Sequence, residues 1–186
     1  MIEVKVDDKP LLTVLNRIAA GAGAPLPLMR ALAGDMLDAV EENFAQEGRP
    51  KWLGLKPASL LARAGALTKK GQVSAARFDK RVRNAHILQD SGRLAASIVS
   101  RADASQAVVG TNVAYAAIHQ FGGTTRPHVI VAKRKKALAW ATGGHPVKKV
   151  NHPGSKIPAR PFLSLTAADE ARMLRTAEQY LRSLGA

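Results

Sequence analysis

The sequence predicts an α+β fold: a small, mostly antiparallel sheet packed by N-terminal helices and a C-terminal helix, with a basic extended arm or hairpin. Three observations carry this. Met29, Leu32, Ala33, Met36, Leu37, Val40 and Phe44 fall on one stripe of a helix spanning about residues 27–46. Apolar runs at 94–100 and 106–110 flank Asp103 and read as a β-hairpin. Residues 142–158 hold Gly143-Gly144, Pro146, Pro153-Gly154 and Pro158, the composition of an extended, loop-rich arm.

In chain order, Ile2, Val4 and Val6 alternate with charged residues and predict a short strand. Asp8 and Pro10 open a helix carrying Leu11, Leu15, Ile18 and Ala19, which Gly21 to Pro25 breaks. The helix over 27–46 shows Asp35, Asp38, Glu41 and Glu42 on its polar face. Gly48 takes the C-terminal cap position and Pro50 forbids continuation. A short helix is expected over Pro57 to Leu67, an exposed loop at Lys69 to Gln72, and a basic helix over 74–89. After the hairpin, Tyr115 to Phe121 predicts a short helix closed by Gly122-Gly123. His128 to Val131 predicts a strand, with Leu138-Ala139-Trp140 as its return and Lys133-Arg134-Lys135-Lys136 near the tip. The final helix is expected over 167–184, with Thr166 and Asp169 as a capping box and Leu174, Ala177, Leu181 and Leu184 as its apolar stripe.

The chain has 186 residues, the size of one domain or of one domain with a projecting arm. Apolar residues make up 46%, enough for a packed core, but aromatics only 4%, so that core is mostly aliphatic. The absence of cysteine excludes a disulfide framework, thiolate catalysis and Cys-ligated zinc. No apolar run is long enough to span a bilayer, and the first residues lack the pattern of a secretory signal, so synthesis and use in the cytosol are expected, without a membrane partner.

The net charge of +14 is unevenly distributed. Residues 1–50 balance at −3, residues 51–160 at +17, and residues 161–186 are neutral. Between Asp103 and Asp169 there is no carboxylate, while nine Lys or Arg occur. That segment cannot neutralise itself, so it faces solvent, an acidic partner or nucleic acid.

Signatures of chemistry are weak. Gly65 to Gly71 contains lysines but does not match a phosphate-binding loop. His119, His128, His145 and His152 lie within 34 residues, but without the i,i+4 pair of a zinc helix or a nearby carboxylate. Asp79 and Asp90 are the only carboxylates between Glu47 and Asp103, too few for a local acid–base pair. No enzyme, cofactor or metal is expected. No nucleic-acid motif is visible either, so DNA contact would be weak and confined to the phosphate backbone.

Four clusters in order resemble one family. They are Phe44 with Glu47-Gly48-Arg49-Pro50-Lys51-Trp52 and Leu55; Ile87 to Leu94 with Ser97-Ile98; Val109-Gly110-Thr111-Asn112 with Tyr115 to Gly123; and Ile157 to Leu163 followed by Asp169. Together they resemble the phage virion morphogenesis (tail completion) family of Mu-like phages and prophages. The resemblance covers about residues 25–184. It divides the chain into an N-terminal strand and helix, 1–24, and a morphogenesis domain, 25–186, with a basic arm inserted at about 124–156. It implies a structural protein of the neck or head-proximal tail end, joining tail to head through a six-fold (hexameric) ring of its own copies and contacting neighbouring neck and tail proteins within the virion. Trp52, Gly92, Gly110, Tyr115, His119, Phe121, Gly122, Gly123 and Pro161 are its structural motif residues, with the aromatics anchoring core or interface. Asp38, Glu41 and Glu42 on the acidic helix, with Arg160 and Phe162, are the expected assembly interface, Arg160 clamping a neighbouring subunit's carboxylate. Lys133, Arg134, Lys135, Lys136, Lys148 and Lys149 are the expected contacts to DNA or a partner. The alternative to assembly is nonspecific binding of the DNA backbone.

Overall fold

The computed structural model describes residues 2–3, 26–64, 75–132, 137–138 and 145–184. The first predicted helix, the Lys69–Gln72 loop and the Lys133–Lys136 tip lie outside the described residues.

Helix α1 (Leu26–Ala45) is the spine. It buries Leu28, Met29, Leu32, Met36, Val40 and Phe44, the stripe that its sequence periodicity prescribes. Its end is made by Glu47 and Gly48, both at positive φ, with the Gly48 N–H donating to Asn43 O at 2.8 Å. A side chain at Gly48 would also bring its Cβ within 2.7 Å of Pro50 O, so only glycine fits.

Helices α2 (Pro57–Ala64) and α3 (Ala75–Arg83) follow and pack together. The second is shorter than the 74–89 expected. One correction concerns residues 94–97, expected as strand. Gly92 adopts φ 70°, and Arg93–Ala96 form a single helical turn, α4, which buries Leu94. Ser97 Oγ donates to Leu94 O at 2.7 Å and lies 2.6 Å from Thr111 Oγ1, fixing the turn against the sheet.

Strands β2 (Val99–Ala102) and β3 (Ala107–Thr111) form the predicted antiparallel hairpin, with Val99 opposite Gly110 and Ala102 opposite Ala107. Its tip is an Asx turn: the Asp103 carboxylate accepts from the Ser105 and Gln106 N–H groups at 2.7 and 3.0 Å. The Ser105 N–H, then the Ser105 hydroxyl and the Gln106 side-chain amide at 2.8 and 3.0 Å, lower the Asp103 pKa to about 2. Strand β1 (Ile2–Glu3) adds antiparallel to β3, giving the order β1-β3-β2. Helix α1 lies across β2 and β3, and α6 (Ala167–Leu184) packs along α1.

Between the sheet and α6 come helix α5 (Ala116–Phe121) and strands β4 (Gly123–Thr124), β5 (His128–Val131), β6 (Lys149–His152) and β7 (Lys156–Ile157). β4 pairs with β7 and β5 with β6, both antiparallel. The partner of β5 is therefore β6, drawn from the stretch read as loop; of the return expected at Leu138-Ala139-Trp140, the last two lie outside the described residues. Leu138 instead makes one isolated bridge to Val147.

Helix α6 has the predicted bounds and capping box, but its buried stripe is Met173 and Ala177 with Tyr180 packed beside them; Leu174 and Leu181 are exposed.

Candidate functional site

Segment 158–164 is heavily fastened, and three elements hold it. From α1, the Asn43 amide donates to Phe162 O and Ser164 O at 2.9 and 2.8 Å. From the loop after α1, the Trp52 indole N–H donates to Pro161 O at 3.2 Å. From α5, Gln120 Oε1 accepts from the Phe162 and Leu163 N–H groups at 3.0 and 2.9 Å, and its amide N–H donates to Leu163 O at 3.2 Å. The Arg160 N–H donates to His119 O at 2.7 Å, while its Nε and Nη2 donate to Leu53 O at 3.1 and 3.0 Å. A Cβ at Gly122, which has φ +73°, would stand 2.8 Å from Ala159 N, so this close crossing needs glycine.

Phe162 is 0% exposed, its ring 5.4 Å from Phe44, which meets Trp52 edge-on at 5.9 Å. Arg160 is 7% exposed. Both were expected at an intersubunit interface. Phe162 instead fills the core and Arg160 ties the chain to the carbonyls of Leu53 and Gly54.

Beside this segment Arg49 gathers a polar hub. Its Nε donates to Asn43 Oδ1 at 2.9 Å, Nη1 to Glu42 Oε2 at 2.9 Å and Nη2 to Ala39 O at 2.8 Å. Its guanidinium also pairs with Asp169 at 2.9 Å. Burial pushes the Asp169 carboxyl upward, but the Thr166 N–H and hydroxyl, at 2.9 and 2.8 Å, together with Arg49, outweigh it and hold the pKa below the ordinary carboxylate value. Glu42, one of three acids expected at an interface, is therefore partly used within the chain. Asp35 is used likewise, accepting from Thr176 Oγ1 at 2.7 Å and lying 3.8 Å from Arg172. Asp38 and Glu41 are exposed and make no ion pair among the described residues.

Asn43 and Gln120 were missed as site residues. The signal was present: each is a polar residue at core spacing, Asn43 beside Val40 and Phe44, Gln120 four after Ala116. A buried amide must find partners, and these find backbone. Conversely, Tyr115 is exposed and Phe121 is 68% exposed, so they face outward instead of anchoring the core. Trp52 is buried, as expected.

A cavity of about 150 Å³ lies beside Arg160, lined also by Arg63, Asp90, Ser91, Tyr115 and His119. Burial, then the Arg160 charge, lowers the His119 pKa; burial, then Arg63, lowers that of Arg160.

β4–β7 and β5–β6 run on as one two-stranded arm. Thr125 and Ser155 hydrogen-bond between them, and the Ala132 N–H donates to Lys148 O beyond β5–β6. From residue 123 to 132 this is about 30 Å of strand. All four residues of β5 are exposed, Val129 at 57%, and Lys148 and Lys149 are exposed on the return. His128 and His152 stack across the pair with ring centres 5.0 Å apart. Among the described residues no cluster of three or more His, Asp or Glu is placed to hold a metal ion, and no helix is long and apolar enough to cross a membrane.

Comparison with known proteins agrees with the sequence resemblance. Residues 6–182 match the phage virion morphogenesis family. The chain is 35% identical over 185 residues, 99% of each chain, to the Mu-like prophage FluMu G protein 2 of Haemophilus influenzae. No solved structure matches.

Proposed function

The chain belongs to the phage virion morphogenesis family and has a structural role in building the phage particle, and from that premise we propose that it completes the tail and joins it to the head. In this reading it acts in the neck or at the head-proximal tail end, by protein–protein contact and without catalysis. Copies of the chain form a ring, with six-fold symmetry as the expectation, and the ring meets neighbouring neck and tail proteins.

The observation that carries this reading is the arm. A two-stranded ribbon is marginal alone in water, and among the described residues no further strand pairs with either edge of β5–β6. Val129, Ile130 and Val131 nonetheless face outward on it. Apolar side chains on a projecting ribbon lose their cost when a neighbour covers them. Electron microscopy of a lysate lacking this gene tests the reading: filled heads beside finished, separate tails are expected, and normal infectious particles would overturn it.

A second reading, nonspecific contact with the DNA backbone, is favoured by one observation. The arm and its flanks carry Arg126, Lys148, Lys149 and Lys156 with no carboxylate in the span from 104 to 168. Duplex binding over a salt series separates the two, since backbone contact weakens steeply as salt rises.

A further inference from the structure

We propose that the cavity beside Arg160 is a carboxylate socket, and that its occupant is the acidic face of α1, through Asp38 or Glu41, of a second copy of the chain. The inference rests on the ring reading and says how one copy grips the next.

The socket carries more positive than negative charge, two guanidinium groups against the single carboxylate of Asp90. Arg160 is nine-tenths buried, yet its guanidinium meets only carbonyl oxygens. Nε and Nη2 are committed to them, which leaves Nη1 without an acceptor among the described residues. A buried cation normally has a carboxylate partner, because carbonyl dipoles only partly replace lost hydration. The same cavity receives His119, whose Nδ1 is buried and has no hydrogen-bond partner. Arg63 stands on the rim, 3.5 Å from Asp90, and Tyr115 and Ser91 add hydroxyl groups. Two guanidinium groups thus face one carboxylate, and that carboxylate is mostly exposed. The volume of about 150 Å³ suits one side-chain carboxylate and falls below the usual range for small-molecule sites.

The plug is the complement. Of the four acids on the polar face of α1, Asp35 is bound by Thr176 and Arg172, and Glu42 by Arg49 and Gln46. Asp38 and Glu41 are left, one turn apart and exposed. The unpaired acids and the unpaired cation do not meet within the chain. Brought together between copies they form a charge-assisted contact between two different surfaces, the heterologous kind that closes into a ring when its rotation permits.

The test uses the full chain and its lack of cysteine. Self-association is measured by sedimentation velocity for the wild type, for Asp38→Lys with Glu41→Lys, for Arg63→Glu, and for Glu41→Lys with Arg63→Glu. The lysine pair sits on an exposed face and leaves the fold intact. It is expected to weaken association at least about tenfold, and the Glu41→Lys/Arg63→Glu combination to recover part of the loss. Under mild oxidation, Glu41→Cys with Ser91→Cys is expected to give intermolecular disulfides that neither single variant gives. Oligomers of wild-type affinity in the lysine pair would overturn the socket while leaving the ring standing. A wild type that stays monomeric at every concentration would overturn the ring, and the socket with it. Arg63→Glu that loses duplex DNA binding but keeps wild-type association would also overturn the socket and favour a phosphate ligand.

Discussion

Two neighbouring stretches of chain, the arm from 123 to 157 and the anchored segment from 158 to 164, follow opposite rules. In the anchored segment the backbone of Phe162 and Leu163 is held by the side chains of Asn43 and Gln120, and both large apolar side chains are buried. In the arm the backbone of the described residues pairs strand to strand, and the apolar side chains of β5 face solvent. The first is complete within one chain. The second is incomplete without another surface. One family cluster, Ile157 to Leu163, runs through the first, and Trp52, His119 and Gly122 of two others touch it, so these motif residues report how the subunit is built.

The sharpest way to break this contrast is at its centre. Phe162→Ala empties a fully buried site between Phe44 and the rest of the core, and should cost about 4 kcal/mol in denaturant unfolding. A loss under about 1 kcal/mol would mean that the segment is not a keystone. Next comes Asp169→Ala, which leaves Arg49 with Glu42 alone and removes the capping box of α6, and should cost about 2 kcal/mol. The Asp169 pKa is lowered on folding, so its contribution is present at neutral pH and lost as pH falls below the ordinary carboxylate value of 3.8. Asp169→Asn should therefore flatten the acid limb of a stability–pH curve; an unchanged limb would assign it to other carboxylates. The smallest effect on folding belongs to the arm. Val129→Ser with Val131→Ser should stay within about 0.5 kcal/mol of wild type while cutting the yield of infectious particles. A large loss of stability there would show that the arm belongs to the core after all.

Much of the scaffold was legible because periodicity reports burial directly. The bounds of α1 and α6, the Asp103 hairpin and the cap at Thr166 all follow from local rules. What failed depended on distant partners. The buried stripe of α6 is Met173 and Ala177, not the leucines, because Asp169, Arg172 and Thr176 turn their polar groups toward α1 and set the rotation of the helix. Leu94 to Ser97 looked like strand but is a turn, because Gly92 bends the chain and Ser97 bonds back to Leu94. The internal anchoring of Arg160 was not legible, because nothing local shows that Leu53 and Gly54, more than 100 residues away, will present their carbonyls to it.

The Arg49 hub also sets a schedule. Its two charged ends, Arg49 and Asp169, are separated by 120 positions. At a bacterial synthesis rate of roughly 5–20 residues per second, α1 leaves the ribosome about 6–24 s before the helix that completes its surroundings exists. During that interval the sheet can already cover one side of α1, but Asn43 and the side that meets α6 have no native cover. A nascent chain halted before residue 158 should be a client for chaperones, and no partial product can offer a finished subunit to a growing particle.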